Sequence, residues 1–434
     1  MPVYKKITRR AEELLPQMVA QRRDFHKYAE AGWYEMRTSS LIARKLTDLG
    51  YEVLTGEEVC LKEARMGVPA EEKLEAHYEK AVVQGGDPEF LPRTRGGMTG
   101  VIGILRCGEG PVIAMRFDID ALGVVEAEEA SHRPAAEGFA SVNPGFMHAC
   151  GHDGHAAIGL AVAQILTEIQ ENLRGTIKLI FQPAEEGVRG AKSIVEKGHL
   201  DDVDYLLGNH INAPPSGKES IKVAAGVYSS LATTKLDAIF HGRSSHAGAR
   251  PHEGKNAVLA AAFATTGLYA IPRHGAGGTQ INVGTFHGGS GRNVVADTAI
   301  LELEIRGANT DINTYMTENA IRVLESAAQM QGCTVDIQLM GAAEALRSDQ
   351  ALAARVEQAS IALGLPSIPS LAGGGSEDFS YMMNRVQSHG GQAVFFRTLT
   401  KIEGGAHNRC YDMEESVLAT AAQVFCGTVL MLMA

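Results

Sequence analysis

The sequence has none of the long apolar runs that cross a bilayer. Its most apolar tail, residues 416–434, is interrupted by Gln423 and Gly427 and reads as a last core helix. Residues 1–20 lack the continuous apolar core of a secretion signal. Positive charge is short as well: 40 Lys and Arg against 51 Asp and Glu leave a formal net charge of −11, which nucleic acid and anionic lipid would repel. The six cysteines, at 60, 107, 150, 333, 410 and 426, form no C-x-x-C pair and follow no regular spacing, so no disulfide framework is expected. All but Cys150 read as small packing residues. There is no internal repeat and no low-complexity tract, and the glycine-rich run at 373–375 is not followed by the Gly-Lys-Ser/Thr of a phosphate loop. The expectation is a cytoplasmic globular chain whose partner is a small molecule.

What is present is ordinary globular composition, 45% hydrophobic and 21% charged, in a chain of 434 residues, long enough for two unequal domains. Helical spacing covers residues 7–30 and 39–49, followed by a strand at 51–54; residues 69–85, rich in Glu, Lys and Ala, read as an exposed helical insertion. Apolar runs at 101–105 and 112–117, separated by Gly108-Glu-Gly110, signal a hairpin. Then come a helix at 155–173, a strand at 177–181, a helix at 191–197 and a strand at 205–207. This alternation predicts an α/β fold with a mainly parallel sheet flanked by helices, whose ligands sit beyond the carboxyl ends of the strands. From residue 223 the order becomes strand 233–240, helix 256–269, strands 280–285 and 299–306, helix 310–331 and strand 334–339, which is the ferredoxin-like α+β order. A helix at 350–363, a strand at 393–397 and the terminal helix resume the first pattern. The expected organisation is a catalytic domain in two parts, 1–222 with an insertion at about 56–95 and 341–434, interrupted by an inserted domain at 223–340.

Cys150 and His152 stand in Met147-His-Ala-Cys-Gly-His-Asp-Gly-His155, a glycine-containing loop before a helix, where two ligand-type side chains can reach one point. A buried thiol beside a hydrogen-bonded histidine fits the pair equally well. The strand 177–181 ends in Gln182-Pro-Ala-Glu-Glu186. On extended chain adjacent carboxylates point oppositely, so one can bind metal while the other faces water. A solvated surface pair is the alternative, disfavoured after a buried strand and Pro183. Gly208-Asn-His210 closes another apolar strand, and His407 lies in Gly404-Gly-Ala-His-Asn408 after the last one. Each histidine alone reads as structural; together they place ligand-type residues at successive strand ends.

The set His148-Ala-Cys-Gly-His-Asp-Gly-His155, Gln182-Pro-Ala-Glu-Glu-Gly187, Ser376-Glu-Asp-Phe379 and His407 resembles the M20 metallopeptidase family, in its amidohydrolase branch. A longer member of that branch is matched over nearly the whole chain, insertion included, through Trp33, Arg65-Met-Gly-Val-Pro69, Ser131-His-Arg-Pro134 and Ser290-Gly-Arg-Asn-Val294. The resemblance implies a zinc-peptidase-like catalytic domain, an inserted lid or dimerisation domain, and two divalent ions, Mn2+ or Zn2+. Cys150 would bridge the ions where many members use Asp, with His152, Glu186, His210 and His407 completing the set. A thiolate is soft and favours zinc, whereas members of this branch often use manganese. Glu185 would be the general base. Asp120, in Arg116-Phe-Asp-Ile-Asp-Ala-Leu122, would support the metals, or else pair with Arg116. His246, in Ser244-Ser-His-Ala-Gly248, would stabilise the oxyanion across a dimer. Asn293 and Arg306, on the strand pair, would hold the substrate carbonyl and carboxylate; Arg306 equally suits a surface ion pair. The loop Gly373-Gly-Gly-Ser376 would offer backbone N–H groups. The implied reaction is hydrolysis of a small N-acyl amino acid by a homodimer or by a hetero-oligomer with a related second chain. A dipeptide deacylase and a non-catalytic metal-binding subunit are the rivals, the latter disfavoured by Glu185. A redox thiol protein lacks a resolving cysteine near Cys150.

Overall fold

Buried strands gathered side by side set the position of everything else. The computed structural model describes residues 2–371 and 375–434, so the glycines at 373 and 374, expected to donate backbone N–H groups, lie outside the described residues. Two compact units emerge, a smaller one built on Ser230–Ala345 and a larger one holding the chain on either side of it.

The larger unit runs α1 (Pro2–Lys27), α2 (Met36–Asp48), β1 (Glu52–Thr55), α3 (Glu71–Val83), β2 (Val101–Arg106), β3 (Val112–Asp118), α4 (Arg133–Ala136), α5 (His152–Glu168), β4 (Thr176–Gln182), α6 (Ala191–Val195), β5 (Tyr205–Asn212) and β6 (Val223–Ala224). The smaller unit follows with β7 (Ala232–His241), α7 (Ala257–Tyr269), β8 (Thr279–Gly288), β9 (Thr298–Gly307), α8 (Thr310–Met330) and β10 (Thr334–Ala343). The larger unit then resumes with α9 (Gln350–Ala362), β11 (Ser367–Ile368), α10 (Phe379–Ser388), β12 (Gln392–Leu399) and α11 (Val417–Met433).

The larger unit's sheet has the order β1-β2-β4-β3-β5-β12-β6-β11. Its middle, β4-β3-β5-β12, is parallel and largely buried, in keeping with strands that are mostly apolar. The pairs β1/β2, β2/β4 and β12/β6 are antiparallel, so the mainly parallel sheet is mixed toward its edges. Apolar faces of α1, α2, α5 and α11 form one core against it, and α6 and α10 a second. The sequence reading did not foresee α10. Nor is α3 simply exposed: Leu74, His77, Tyr78 and Ala81 are buried. No described helix is long and apolar enough to cross a membrane.

The expected hairpin at Gly108–Gly110 does not form, because β4 lies between β2 and β3. Gly175, leading into β4, occupies the gap: its carbonyl accepts the Cys107 N–H at 2.8 Å, and the Thr176 N–H donates to Pro111 O at 3.0 Å. Gly175 sits at φ +110, and a Cβ there would come within 2.1 Å of Pro111 O. In the smaller unit the sheet order is β10-β7-β9-β8, antiparallel throughout. Its helices begin at Asn256 and Asn309, whose side chains accept the N–H groups of Leu259 and Ile312. Ala257, Ala260, Ala261 and Ala264 of α7 join Met316, Ala320 and Leu324 of α8 in this unit's core.

Gly175→Ala should destabilise the protein by about 2 kcal/mol or more in guanidinium denaturation, since both the left-handed backbone and the close approach oppose a side chain. Gly108→Ala, at φ +94 with open space around it, should cost only the backbone share, about 1 kcal/mol. Equal losses at the two positions would remove the close approach as the cause.

Candidate metal centre

The carboxyl ends of β3, β4 and β5 deliver Asp118, Gln182 and His210 to one edge of the sheet. Cys150 precedes α5 through Gly151 at φ +95, and His152 takes the first turn of that helix. After β4 the chain does not stay extended. Ala184, Gly187 and Val188 adopt positive φ values of +51, +86 and +60. Glu185 and Glu186 therefore do not diverge: both carboxylates come 3.9 Å from His152 Nε2.

Ligand-type atoms gather in two groups that share Cys150. One is Cys150, His152 and His210; the other is Cys150, Glu186 and His407; within each group the atoms lie within 4.8 Å of one another. Cys150 Sγ is 3.4 Å from His210 Nε2, and His407 Nε2 is 3.5 Å from Glu186 Oε1. His407 itself is exposed, on a loop, at φ +61. Among the described residues, buried His152 Nε2 and Glu186 Oε1 have no hydrogen-bond partner, though Glu186 Oε1 faces His407 at 3.5 Å. Orphaned atoms of this kind are rare inside proteins, and around one thiol they match the donor set of a divalent-ion site.

Surrounding groups orient the donors. His152 Nδ1 lies 3.0 Å from the Asp120 carbonyl oxygen and 3.2 Å from Asp120 Oδ1, which leaves Nε2 facing the cluster. Asp120 Oδ2 accepts the Glu186 N–H at 2.9 Å, so one carboxylate serves both groups. Arg116 turns to Asp118 and to Gln182 Oε1, at 2.5 and 2.8 Å. His210 Nδ1 donates to Ile211 O at 2.7 Å. A residue that the sequence reading missed completes the support. His155 lies 2.5 Å from Asp118 Oδ1 and accepts the Ile211 N–H at 3.1 Å, fixing β5 beside His210. Its signal was the spacing of three from His152 on one helix face.

Burial, aided by Glu186, pushes the Cys150 thiol up to about 12. Burial also raises Glu186 to about 7, with Asp120 and Asp118 adding to the effect. Burial opposes a charge on His152, yet Asp118 and the Asp120 hydrogen bond hold it well above its ordinary value. His210 is driven well below its ordinary value by burial and by His155. The cluster can thus bind cations only by giving up protons.

His246, Asn293 and Arg306 belong to the smaller unit. His246 Nδ1 accepts the N–H groups of Gly248 and Ala249 at 3.2 and 3.0 Å, which puts the ring proton on Nε2. Asn293 lies in the turn between β8 and β9, not on a strand, where glycines and Ser290 interrupt the apolar pattern. Arg306 is on β9 and pairs with Glu304 at 3.0 Å.

Loading the protein with Mn2+ at pH 7 should release about two or more protons, from Cys150, His152 and part of Glu186, and affinity should rise with pH. Calorimetry in buffers of different ionisation enthalpy measures the number; release of less than one proton would remove the thiol as a ligand. Cys150→Ala should weaken both ions together.

A family model described as Peptidase family M20/M25/M40 matches residues 114–431. The chain is 45% identical over 428 residues to one of the subunits of p-aminobenzoyl-glutamate hydrolase from Escherichia coli (strain K12), covering 96% of each. It is 44% identical over 441 residues to indole-3-acetyl-aspartic acid hydrolase of Enterobacter agglomerans, covering 99% of this chain and 98% of that one. The crystal structure of an aminobenzoyl-glutamate utilization protein from Klebsiella pneumoniae matches with a TM-score of 0.83 at 38% identity, covering 97% of both chains. The resemblance carried by the motifs is borne out: the chain belongs to peptidase family M20/M25/M40 and is a metallo-hydrolase of amide bonds.

Proposed function

We propose that this chain hydrolyses p-aminobenzoyl-glutamate to p-aminobenzoate and glutamate. The observation that carries the mechanism is Cys150 shared by two ligand groups, with the Glu185 carboxylate at 3.9 Å from His152 beside them. In this reading Cys150, His152 and His210 would hold one divalent ion, and Cys150, Glu186 and His407 the other. Mn2+ or Zn2+ bound there would supply Lewis acidity for the amide carbonyl and the attacking water. Glu185 takes the proton from that water and passes it to the amide nitrogen as the glutamate amine leaves. Asp120 keeps His152 and Glu186 in place.

His246, with its proton on Nε2, donates to the oxyanion that forms at the carbonyl carbon. The β-α-β-β-α-β order and the sheet order of the smaller unit support a ferredoxin-like topology; it would serve as a lid and dimerisation domain, with His246 acting across a dimer. Asn293 would hold the carbonyl, and Arg306 the glutamate carboxylate, sharing its guanidinium with Glu304. A related second subunit is the proposed hetero-oligomeric partner, because the Escherichia coli relative is named as one subunit of its hydrolase. The cytoplasm is the proposed location. The near-equal identity of the indole-3-acetyl-aspartic acid hydrolase supports a second reading, a broader deacylase of N-acyl amino acids on the same site.

Purified protein loaded with Mn2+ or Zn2+ should turn over p-aminobenzoyl-glutamate faster than a panel of other acyl amino acids and dipeptides. Faster turnover of indole-3-acetyl-aspartate would favour the second reading. Glu185→Gln should keep both ions and lose about 10²- to 10⁴-fold in kcat; unchanged turnover removes Glu185 as the base. His246→Ala should lower kcat by about 10²- to 10³-fold, and a change confined to KM would exclude the oxyanion role.

A further inference from the structure

The insertion at about 56–95 has no role in the reaction so far, and the family model begins after it, at residue 114. Its contacts lead to the turn that carries Glu185 and Glu186. That turn is unfavourable on its own: Ala184 and Val188 hold left-handed conformations, at φ +51 and +60, that cost about 1–2 kcal/mol each in an ordinary residue. The sheet side restrains it through Asp378, which accepts the N–H groups of Gly190 and Ala191 at 3.0 and 2.9 Å, and through Glu35, which accepts the Ala184 N–H at 2.7 Å.

The insertion grips it on both sides of the carboxylate pair. Before the pair, Ala184 is fully buried in a cluster with Leu74, Tyr78, Ala81 and Leu91 of the insertion and with Trp33. Trp33, itself at φ +71, donates its indole N–H to Met66 O at 2.8 Å. After the pair, Arg189 Nε donates to Glu186 O at 2.9 Å while its Nη1 donates to Gly67 O at 3.2 Å. One guanidinium thus joins the main chain of Glu186 to the main chain of the insertion. The planar fork of arginine fixes both distances at once, which a lysine cannot do.

We propose that the insertion is a positioning element for the reaction: through Arg189 on Gly67 and through the packing on Ala184, it sets the placement of Glu185 and Glu186. Arg189 and Trp33 are positioning residues in this scheme and need not touch substrate. The kinetic part rests on the hydrolase reading above; the metal-binding part does not.

The test compares the full chain with Arg189→Ala, Arg189→Lys and Trp33→Phe. Titration of the metal-free protein with Mn2+ should show one ion bound as in wild type and the other weakened about tenfold or more in Arg189→Ala. With whichever acyl amino acid the wild type hydrolyses best, kcat should fall about 100-fold with KM little changed, and millimolar guanidinium chloride should restore part of it. Arg189→Lys should recover only a small part. Trp33→Phe, which keeps the ring in its cluster but loses the N–H bond to Met66, should show the same pattern more weakly. Wild-type titration and turnover in Arg189→Ala would overturn the proposal. So would a kcat loss that follows a lowered melting temperature, affects both ions equally and is not rescued by guanidinium. If the wild type hydrolyses no acyl amino acid, the hydrolase reading fails while the Mn2+ titration still decides the role of Arg189.

Discussion

Among the described residues, His152 Nε2 lies buried beside the Cys150 thiol with no hydrogen-bond partner, and Glu186 Oε1 has only His407 at 3.5 Å; an unsatisfied buried polar atom costs about 1–3 kcal/mol. A folded chain tolerates such a cluster only where other interactions fix its members and a bound cation later satisfies them. Much of the larger unit can be read as that fixing. Three parallel strands end at one edge, α5 starts at His152, a proposed ligand, and the polar residues beneath are tied to one another. Arg22, fully buried, meets Asp153, Asp412 and Glu415 at 2.8, 2.8 and 3.0 Å. It thereby joins α1, the start of α5 and the segment before α11. His26 lies between Asp153 and Glu126, at 2.8 and 2.9 Å, with a carboxylate facing each ring nitrogen. Both nitrogens can donate only in the imidazolium form, and these hydrogen bonds raise its pKa against the burial that would lower it.

Buried ion networks of this sort contribute less to stability than their geometry suggests, because desolvation offsets the attraction. Their value here is placement. Asp153 follows His152 directly in α5, so the contacts of Arg22 and His26 fix the helix start that aims the imidazole. The demand for placement also accounts for the conformations around Glu185. A relaxed, extended chain after β4 would send the two carboxylates to opposite sides of the strand, whereas the left-handed turn at Ala184 brings both to His152.

That turn marks the limit of what the sequence makes legible. The strand ends could be read locally, because mostly apolar runs give way to polar residues before His210 and at Gln182, and the glycine before His152 announces a tight turn. An alanine gives no local sign of positive φ; the restraint comes from Glu35, Asp120 and α3, which lie far away in sequence. The pairing of β2 and β3 was misread for the same kind of reason. Gly108–Gly110 has hairpin composition, but the strand that fills the gap begins at Thr176, beyond the reach of any local pattern. Asn293, associated with the strand pair by resemblance, lies between the two apolar runs, where the glycines around it make a turn. The candidate ligand set is legible only through the joint resemblance of several motifs, since each histidine alone has an ordinary structural reading.

Charge decides what Cys150 can do. A thiol pushed up to about 12 is almost wholly protonated at neutral pH, so in the protein alone it is a poor nucleophile and a poor redox centre. The same burial that silences the thiol makes it responsive to metal, because a divalent ion stabilises the thiolate where water cannot. In the proposed site, protons held by Cys150, His152 and Glu186 would be exchanged for cations beside the Glu185 carboxylate. A site that stays protonated without metal and assembles ligand and base together when loaded has the properties of a hydrolase centre, whereas a thiol switch would need the opposite, a thiolate exposed in the resting protein.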